Sequence, residues 1–149
     1  MNSMARKKRD SLQQIAVLPY RFRDDGDASS IDVLLITSRE TGRWVIPKGN
    51  IDSGQTPHGA AVSEALEEAG VRGRTEDRVI GHYRYHKYRT RDHWDIADVA
   101  VFAMEVTHEL GDWKEKTERK RKWFPRAKAA DRVSEKQLKA LILEYRGER

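Results

Sequence analysis

Three carboxylates, Glu64, Glu67 and Glu68, fall within five residues behind a Thr56-Pro57 pair and ahead of Gly70. Thr as N-cap, Pro at the first helical position and Gly just past the end predict a helix of about fourteen residues. At about 100° per residue, Glu67 lies at about 300° and Glu68 at about 40° from Glu64, so the three share one face. Val62, Ala65, Leu66 and Ala69 fall opposite, as the expected buried stripe, and Ala60 and Ala61 lie elsewhere. Within the helix, no Lys or Arg stands three or four residues from any of the three acids. Carboxylates left to repel one another are relieved by a hard divalent cation, which takes oxygen ligands and keeps water for phosphates. A solvated acidic face competes with that reading on spacing alone.

The surrounding charge favours the cation. The chain has 149 residues, with 29 Lys and Arg against 24 Asp and Glu, for a net charge of +5. From Ala5 to Asp10 four cations meet one acid, a net +3; from His82 to Trp94 the count is the same, with three His added. From Lys114 to Lys128 eight cations meet two acids, a net +6, whereas the stretch from Gly49 to Val71 has only Asp52 and the three Glu, a net −4. One acidic centre among basic stretches suits a cation and a polyanionic ligand meeting there. There is no Cys, so thiolate chemistry and Cys-based zinc sites are excluded. No apolar run approaches the ~20 residues of a membrane helix, and residues 1–10 are polar, so a cytoplasmic protein without a membrane partner is expected.

The positioning elements follow. Ile15 to Tyr20, Ile31 to Thr37 and the brief Arg43-Trp44-Val45-Ile46 read as strands, with turn composition at Arg23-Asp24-Asp25-Gly26-Asp27. Lys48 to Gln55, rich in Gly and Asp, reads as a loop. After the acidic helix, Val79 to Tyr88, Ala97 to Val106 and Arg119 to Phe124 read as strands. A last helix is marked by Ser134 and Gln137 as a capping box, by Val133 stapling onto Leu138, and by an apolar face of Leu138, Leu141, Ile142 and Tyr145. One mixed α/β domain over residues 11–149 is expected, behind a flexible basic segment of residues 1–10.

The order of residues is more specific than their spacing. Gly49, five residues, Gln55, seven residues, then Ser63, Glu64, Ala65, Leu66, Glu67, Glu68, Ala69, Gly70 and Val71 resemble the Nudix box. Trp44-Val45-Ile46-Pro47-Lys48 and Ala60-Ala61 also look like that family. Gly111-Asp112-Trp113 and Arg119-Lys120-Arg121-Lys122-Trp123-Phe124, followed by a helix, look like its diphosphoinositol polyphosphate phosphohydrolase branch. Two positions depart: Gln55 stands where the family has Glu, and Ser63 where it has Arg. The paired loss leaves the local charge unchanged and strands no buried charge, and both side chains can still hydrogen-bond.

The resemblance implies an α/β/α sandwich around a mixed sheet and Mg2+-dependent cleavage of a diphosphate linkage, with Mn2+ as an alternative ion. It implies Glu64, Glu67 and Glu68 as metal ligands, one of them also the base, with the carbonyl of Gly49 or Lys48 completing the coordination. Phosphate contacts are expected from Arg43, Lys48, Arg84, Lys87, Arg89, Arg119 and Arg121, Arg being suited to bidentate binding. As a strand, Arg119 to Phe124 would put Arg119 and Arg121 on one face with Trp123. Glu118 is expected in a surface ion pair with Lys122, and Trp44 and Trp123 in the core. The substrate class is a nucleoside diphosphate-linked compound, a dinucleoside polyphosphate or an inositol pyrophosphate. The alternative is a phosphate-ligand or RNA binding protein of the same fold with hydrolysis weakened by Gln55 and Ser63; nucleic acid is the less favoured partner for want of an RNP-type aromatic motif. The sequence sets no oligomeric state.

Overall fold

The computed structural model describes residues 12–24, 30–90 and 93–147, with the side chains of residues 88–90 outside the description. The basic segment 1–10 and residues 25–27 of the expected turn therefore lie outside the described residues. The strands are β1 (Leu12–Phe22), β2 (Ile31–Thr37), β3 (Trp44–Val45), β4 (Lys48–Asn50), β5 (Val71–Thr90), β6 (His93–Glu109) and β7 (Arg121–Pro125). They form one mixed sheet in the order β3-β2-β1-β6-β5, with β4 paired to β1 and β7 to β2. Only β1 and β6 run parallel; every other pairing is antiparallel. The helices are α1 (Pro57–Glu64), continued as a π-turn over Ala65–Ala69, then α2 (Arg126–Arg132) and α3 (Lys136–Glu144).

Strand alternation builds the sandwich. Ile15, Val17, Leu34 and Ile36 face α1, packing with Ala60, Ala61, Ala65, Ala69, Phe102 and Met104. Ala16, Leu18, Tyr20, Val33 and Leu35 face the other way, onto Ala129, Ala130, Leu138 and Ile142 of α2 and α3. With both faces covered, β1 and β2 read as continuous apolar runs instead of alternating ones. No described helix is long and apolar enough to cross a membrane.

Several expectations are corrected. The expected loop after Pro47 begins as β4, because the backbone of Lys48, Gly49 and Asn50 pairs with Ala16, Ile15 and Gln14. Strand β5 begins at Val71, eight residues before the expected Val79, and is irregular between Thr75 and Val79 and between Val79 and Gly81, which hides its period. Helix α2 was not expected; it buries only Ala129 and Ala130 among charged residues, so it carries no apolar stripe to read. The capping box does not form, since α3 follows Glu135 without a side-chain cap, and Gln137 Oε1 instead accepts from the Arg84 amide at 2.8 Å. Val133, Leu138 and Ile142 are buried as expected, whereas Tyr145 already lies past the helix, edge-on to Tyr20 at 5.2 Å.

The start of the acidic helix is as expected. Thr56 Oγ1 accepts from the Gly59 amide at 3.0 Å with Pro57 following, and Gly70 ends the π-turn at φ +66°. A Cβ on Gly70 would also stand 2.5 Å from the Trp113 ring. Left-handed strain and overpacking therefore coincide, and Gly70→Ala is expected to destabilise the protein by about 2–4 kcal/mol in urea denaturation. A loss below about 1 kcal/mol would show that neither the turn nor the Trp113 contact is rigid.

Candidate active site

The π-turn decides which side of the acidic helix is buried. Ala60, Ala61, Ala65 and Ala69 face the sheet, and Leu66, expected inside, is 37% exposed. The expected stripe is thus corrected: i→i+5 bonding shifts the phase of the last turn, and four alanines let the helix lie close to the sheet. That rotation carries Glu68 inward, leaving it 8% exposed.

Glu68 is held from two directions. Its Oε1 accepts from the Lys48 backbone amide of β4 at 3.2 Å, and its Oε2 lies 3.5 Å from the Arg119 guanidinium. Arg119, itself 9% exposed, also donates to Glu115 at 2.7 Å and to the Thr37 carbonyl at 3.0 Å. Burial raises the Glu68 carboxyl above the ordinary range, while Arg119 opposes the shift. Glu64 is hydrogen-bonded to Glu68 and is raised from the usual 4.5 to about 8, first by burial, then by Glu68, Glu67 and Glu115. It lies flat against Gly49, where a Cβ would stand 2.5 Å from its carboxyl carbon. Glu67 turns to the rim, 3.1 Å from the Lys114 ammonium.

Among the described residues no three acidic or histidine side chains converge as a preformed cation cage; the convergent pair is Glu64 and Glu68. Two oxygen ligands that share a site too poor in positive charge to ionise both fit a hard divalent cation. The departing box positions also meet: Gln55 Nε2 donates to Ser63 Oγ at 3.4 Å, while Gln55 Oε1 accepts from the Asp52 amide at 3.0 Å.

The basic stretches divide between structure and site. Arg121, expected on phosphate, is committed to carbonyls, donating to Ala69 at 2.9 Å, Gly70 at 3.2 Å and Leu110 at 2.8 Å, with its guanidinium stacked 4.0 Å over Trp113. It closes the end of the π-turn, where orphan carbonyls need donors. Arg119 precedes β7, so the two do not share a strand face as expected. Arg84 donates to Asp98 at 2.5 Å, on the face of β5 away from Tyr83, Tyr85 and Lys87. Lys48 keeps its ammonium 4.8 Å over Tyr85, and burial lowers its pKa against the pull of Glu68 and Glu135; Lys87 lies near enough to push it the same way. Arg43 lies 3.5 Å from Glu135. The Arg89 side chain is outside the described residues. Glu118 pairs with Arg39 at 3.1 Å, not with Lys122. Trp44 packs edge-on to Phe124 at 5.1 Å, and Trp123 lies against the core beneath Arg21 at 4.2 Å.

Sequence reasoning missed Glu115, Glu135 and the part-buried run in which Tyr85 donates to Gln14 at 2.7 Å and Gln14 to Asn50 at 3.0 Å. Only Glu115 left a signal, four residues before Arg119.

The NUDIX domain family matches residues 12–143, which include every residue of this site. This chain belongs to the Nudix family. The mitochondrial Nudix hydrolase 16 of Arabidopsis thaliana is 32% identical to it over 136 residues, 85% of this chain and 75% of that protein. Diphosphoinositol polyphosphate phosphohydrolase 3-alpha of Mus musculus is 38% identical over 96 residues, 62% of this chain and 54% of that protein, so the chain spans about half of that relative's length. The Nudix sandwich itself is shared with a C. elegans Ap4A hydrolase binary complex at a TM-score of 0.63 and 19% identity, covering 89% of this chain and 93% of that one. The class is that of the Nudix pyrophosphohydrolases, and the branch resemblance read from residues 111–124 agrees with the relatives found.

The carboxylate pair makes metal-free stability depend on pH. Folded Glu64 holds its proton up to about pH 8, and an unfolded Glu releases it near 4.5, so between these values the folded state binds more protons and stability falls as pH rises. The metal-free protein should lose Tm steadily from about pH 5 to about pH 8.5, with Glu64→Gln flattening the slope and Mg2+ restoring Tm at the alkaline end. A Tm that rises with pH over this window in metal-free protein would contradict the assignment.

Proposed function

We propose that this Nudix chain hydrolyses a diphosphate linkage in a polyphosphorylated small molecule, either nucleoside-linked or an inositol pyrophosphate, with Mg2+ as cofactor and in the cytoplasm. The observation that carries the reading is the desolvated Glu64 and Glu68 pair beside Lys48. Glu64 and Glu68 would hold the cation with the Gly49 carbonyl; once bound, it neutralises phosphate oxygens and lowers the pKa of water. Arg119 and the Lys48 amide fix the Glu68 carboxylate. Lys48, Arg43 and Lys87 take the phosphate oxygens, where positioning and charge compensation do most of the work of phosphoryl chemistry. We assign to Glu67 the proton of the attacking water, whose oxygen bonds to phosphorus as the bridging bond breaks and the second phosphate leaves.

Incubation with Mg2+ and a panel of dinucleoside polyphosphates, nucleotide sugars and inositol pyrophosphates should show metal-dependent turnover of at least one compound. Glu68→Gln should lower kcat by about 10²–10⁴-fold on it while the fold is kept. Binding without any metal-dependent turnover would select the alternative, a phosphate-ligand binding protein, which the uncharged Gln55 to Ser63 bridge favours.

That bridge also predicts non-additivity. Gln55→Glu or Ser63→Arg alone introduces one unpaired charge, whereas together they make an ion pair. The double variant should therefore exceed the product of the single effects on kcat, and simple multiplication would mean that the two positions act independently.

A further inference from the structure

The Gly111-Asp112-Trp113 motif lies in the connection from β6 to β7, residues 110–120, which contains neither helix nor strand. Donors from this connection converge on the end of the acidic helix. The Leu110 amide donates to the Gly70 carbonyl at 2.8 Å and the Glu115 amide to the Glu67 carbonyl at 3.1 Å. Between them the Trp113 indole Nε1 donates to the Glu68 carbonyl at 3.2 Å. Arg121, the first residue of β7, reaches the Ala69 carbonyl at 2.9 Å and that of Gly70 at 3.2 Å. The last carbonyls of a helix have no partner within it, and here each one from Glu67 to Gly70 receives a donor from residues 110–121.

The same connection also steadies the side chain of Glu68. Glu115, whose amide holds the Glu67 carbonyl, binds Arg119 through its carboxylate at 2.7 Å, and Arg119 lies 3.5 Å from Glu68 Oε2. Trp113 holds the backbone of that residue. Its ring lies so near Gly70 that a Cβ there would stand 2.5 Å from it, and the Arg121 guanidinium covers the ring at 4.0 Å. A π-turn is rare inside helices and frequent at functional sites; in this one the phase of the turn decides whether Glu68 faces inward. A part-buried carbonyl deprived of its donor must find another partner, and the turn has to shift to provide one.

We propose that Trp113, with Arg121 stacked on it, is a positioning residue of the cation site: by holding the Glu68 carbonyl it keeps the π-turn in the phase that brings Glu68 to Glu64, and so raises affinity for a divalent cation without touching cation or substrate. The proposal rests on the reading of Glu64 and Glu68 as the cation ligands. Groups that orient a metal ligand typically change metal affinity by about 10–100-fold when removed.

Calorimetric titration of Mg2+ into the whole metal-free chain tests it without any need for turnover, with Tm measured on each variant. Trp113→Phe keeps an aromatic ring against Gly70 and Arg121 but has no N–H, and should weaken Mg2+ binding at least about tenfold. Arg121→Lys keeps the charge but not the fork that serves several carbonyls, and should weaken it at least about threefold even if Trp113→Phe does not fold. Trp123→Phe is the control, since that indole donates to the Glu109 side chain at 3.2 Å and not to the acidic helix; it should leave Mg2+ affinity within about twofold whatever it does to Tm. Unchanged Mg2+ affinity in Trp113→Phe and Arg121→Lys, or a loss in all three variants that follows Tm, overturns the proposal and leaves the cation reading standing. Absence of Mg2+ binding to wild-type protein overturns both.

Discussion

Two carboxylates held together away from water set the terms for this fold. Glu64 and Glu68 share a hydrogen bond in a partly desolvated site, and charges brought this close in low dielectric repel far more strongly than in water. The compensation is local and incomplete. One backbone amide from β4 and one guanidinium reach Glu68, and that guanidinium is itself divided between Glu68 and Glu115. What remains uncompensated is the charge that, in the proposed reading, a hard cation would neutralise. The rest of the architecture holds the acidic helix near enough for this to happen: a stripe of alanines on the sheet, a Gly49 backbone with no Cβ between it and Glu64, and a left-handed Gly70 beneath Trp113.

The net charge of the chain therefore says little about its ligand until each cation has been placed. Three cations of the most basic stretch are committed to groups of the protein itself. Lys114 holds Glu67, Arg119 holds Glu68 and Glu115, and Arg121 caps carbonyls. In the proposed reading the cations that take phosphate come from elsewhere: Lys48 on β4, Arg43 beside β3 and Lys87 on β5. Arg suits both tasks for the same reason, because its planar fork satisfies several oxygens at once, whether they belong to a helix end or to a phosphate.

Part of the site was legible because its signals are short in sequence. Thr56, Pro57 and Gly70 act on a helix whose ends they form, and β2 coincides with the Ile31 to Thr37 run because β-branched residues carry their preference locally. The spacing from Gly49 to Val71 carried the family by the same logic. Expectations failed where a local rule met a non-local competitor. Gln137 had a capping partner three residues away but found the Arg84 amide of a distant strand, and Lys48 to Asn50 look like a loop until β1 supplies the hydrogen bonds that make them a strand.

By itself the sequence determined that three carboxylates would stand on one capped helix, that oxygen ligands and not thiolates would bind any metal, and that Gln55 and Ser63 would replace a charged pair together. The tertiary structure decided which of the three acids converge, which arginine is consumed by the carbonyls of the helix end, and that Arg119 and the Lys48 amide reach Glu68. The division has one physical cause. Helix periodicity and capping are set by neighbours a few residues apart, whereas burial and charge compensation depend on groups from β4, the segment before β7 and α3, which only the closed sandwich brings within a few ångströms.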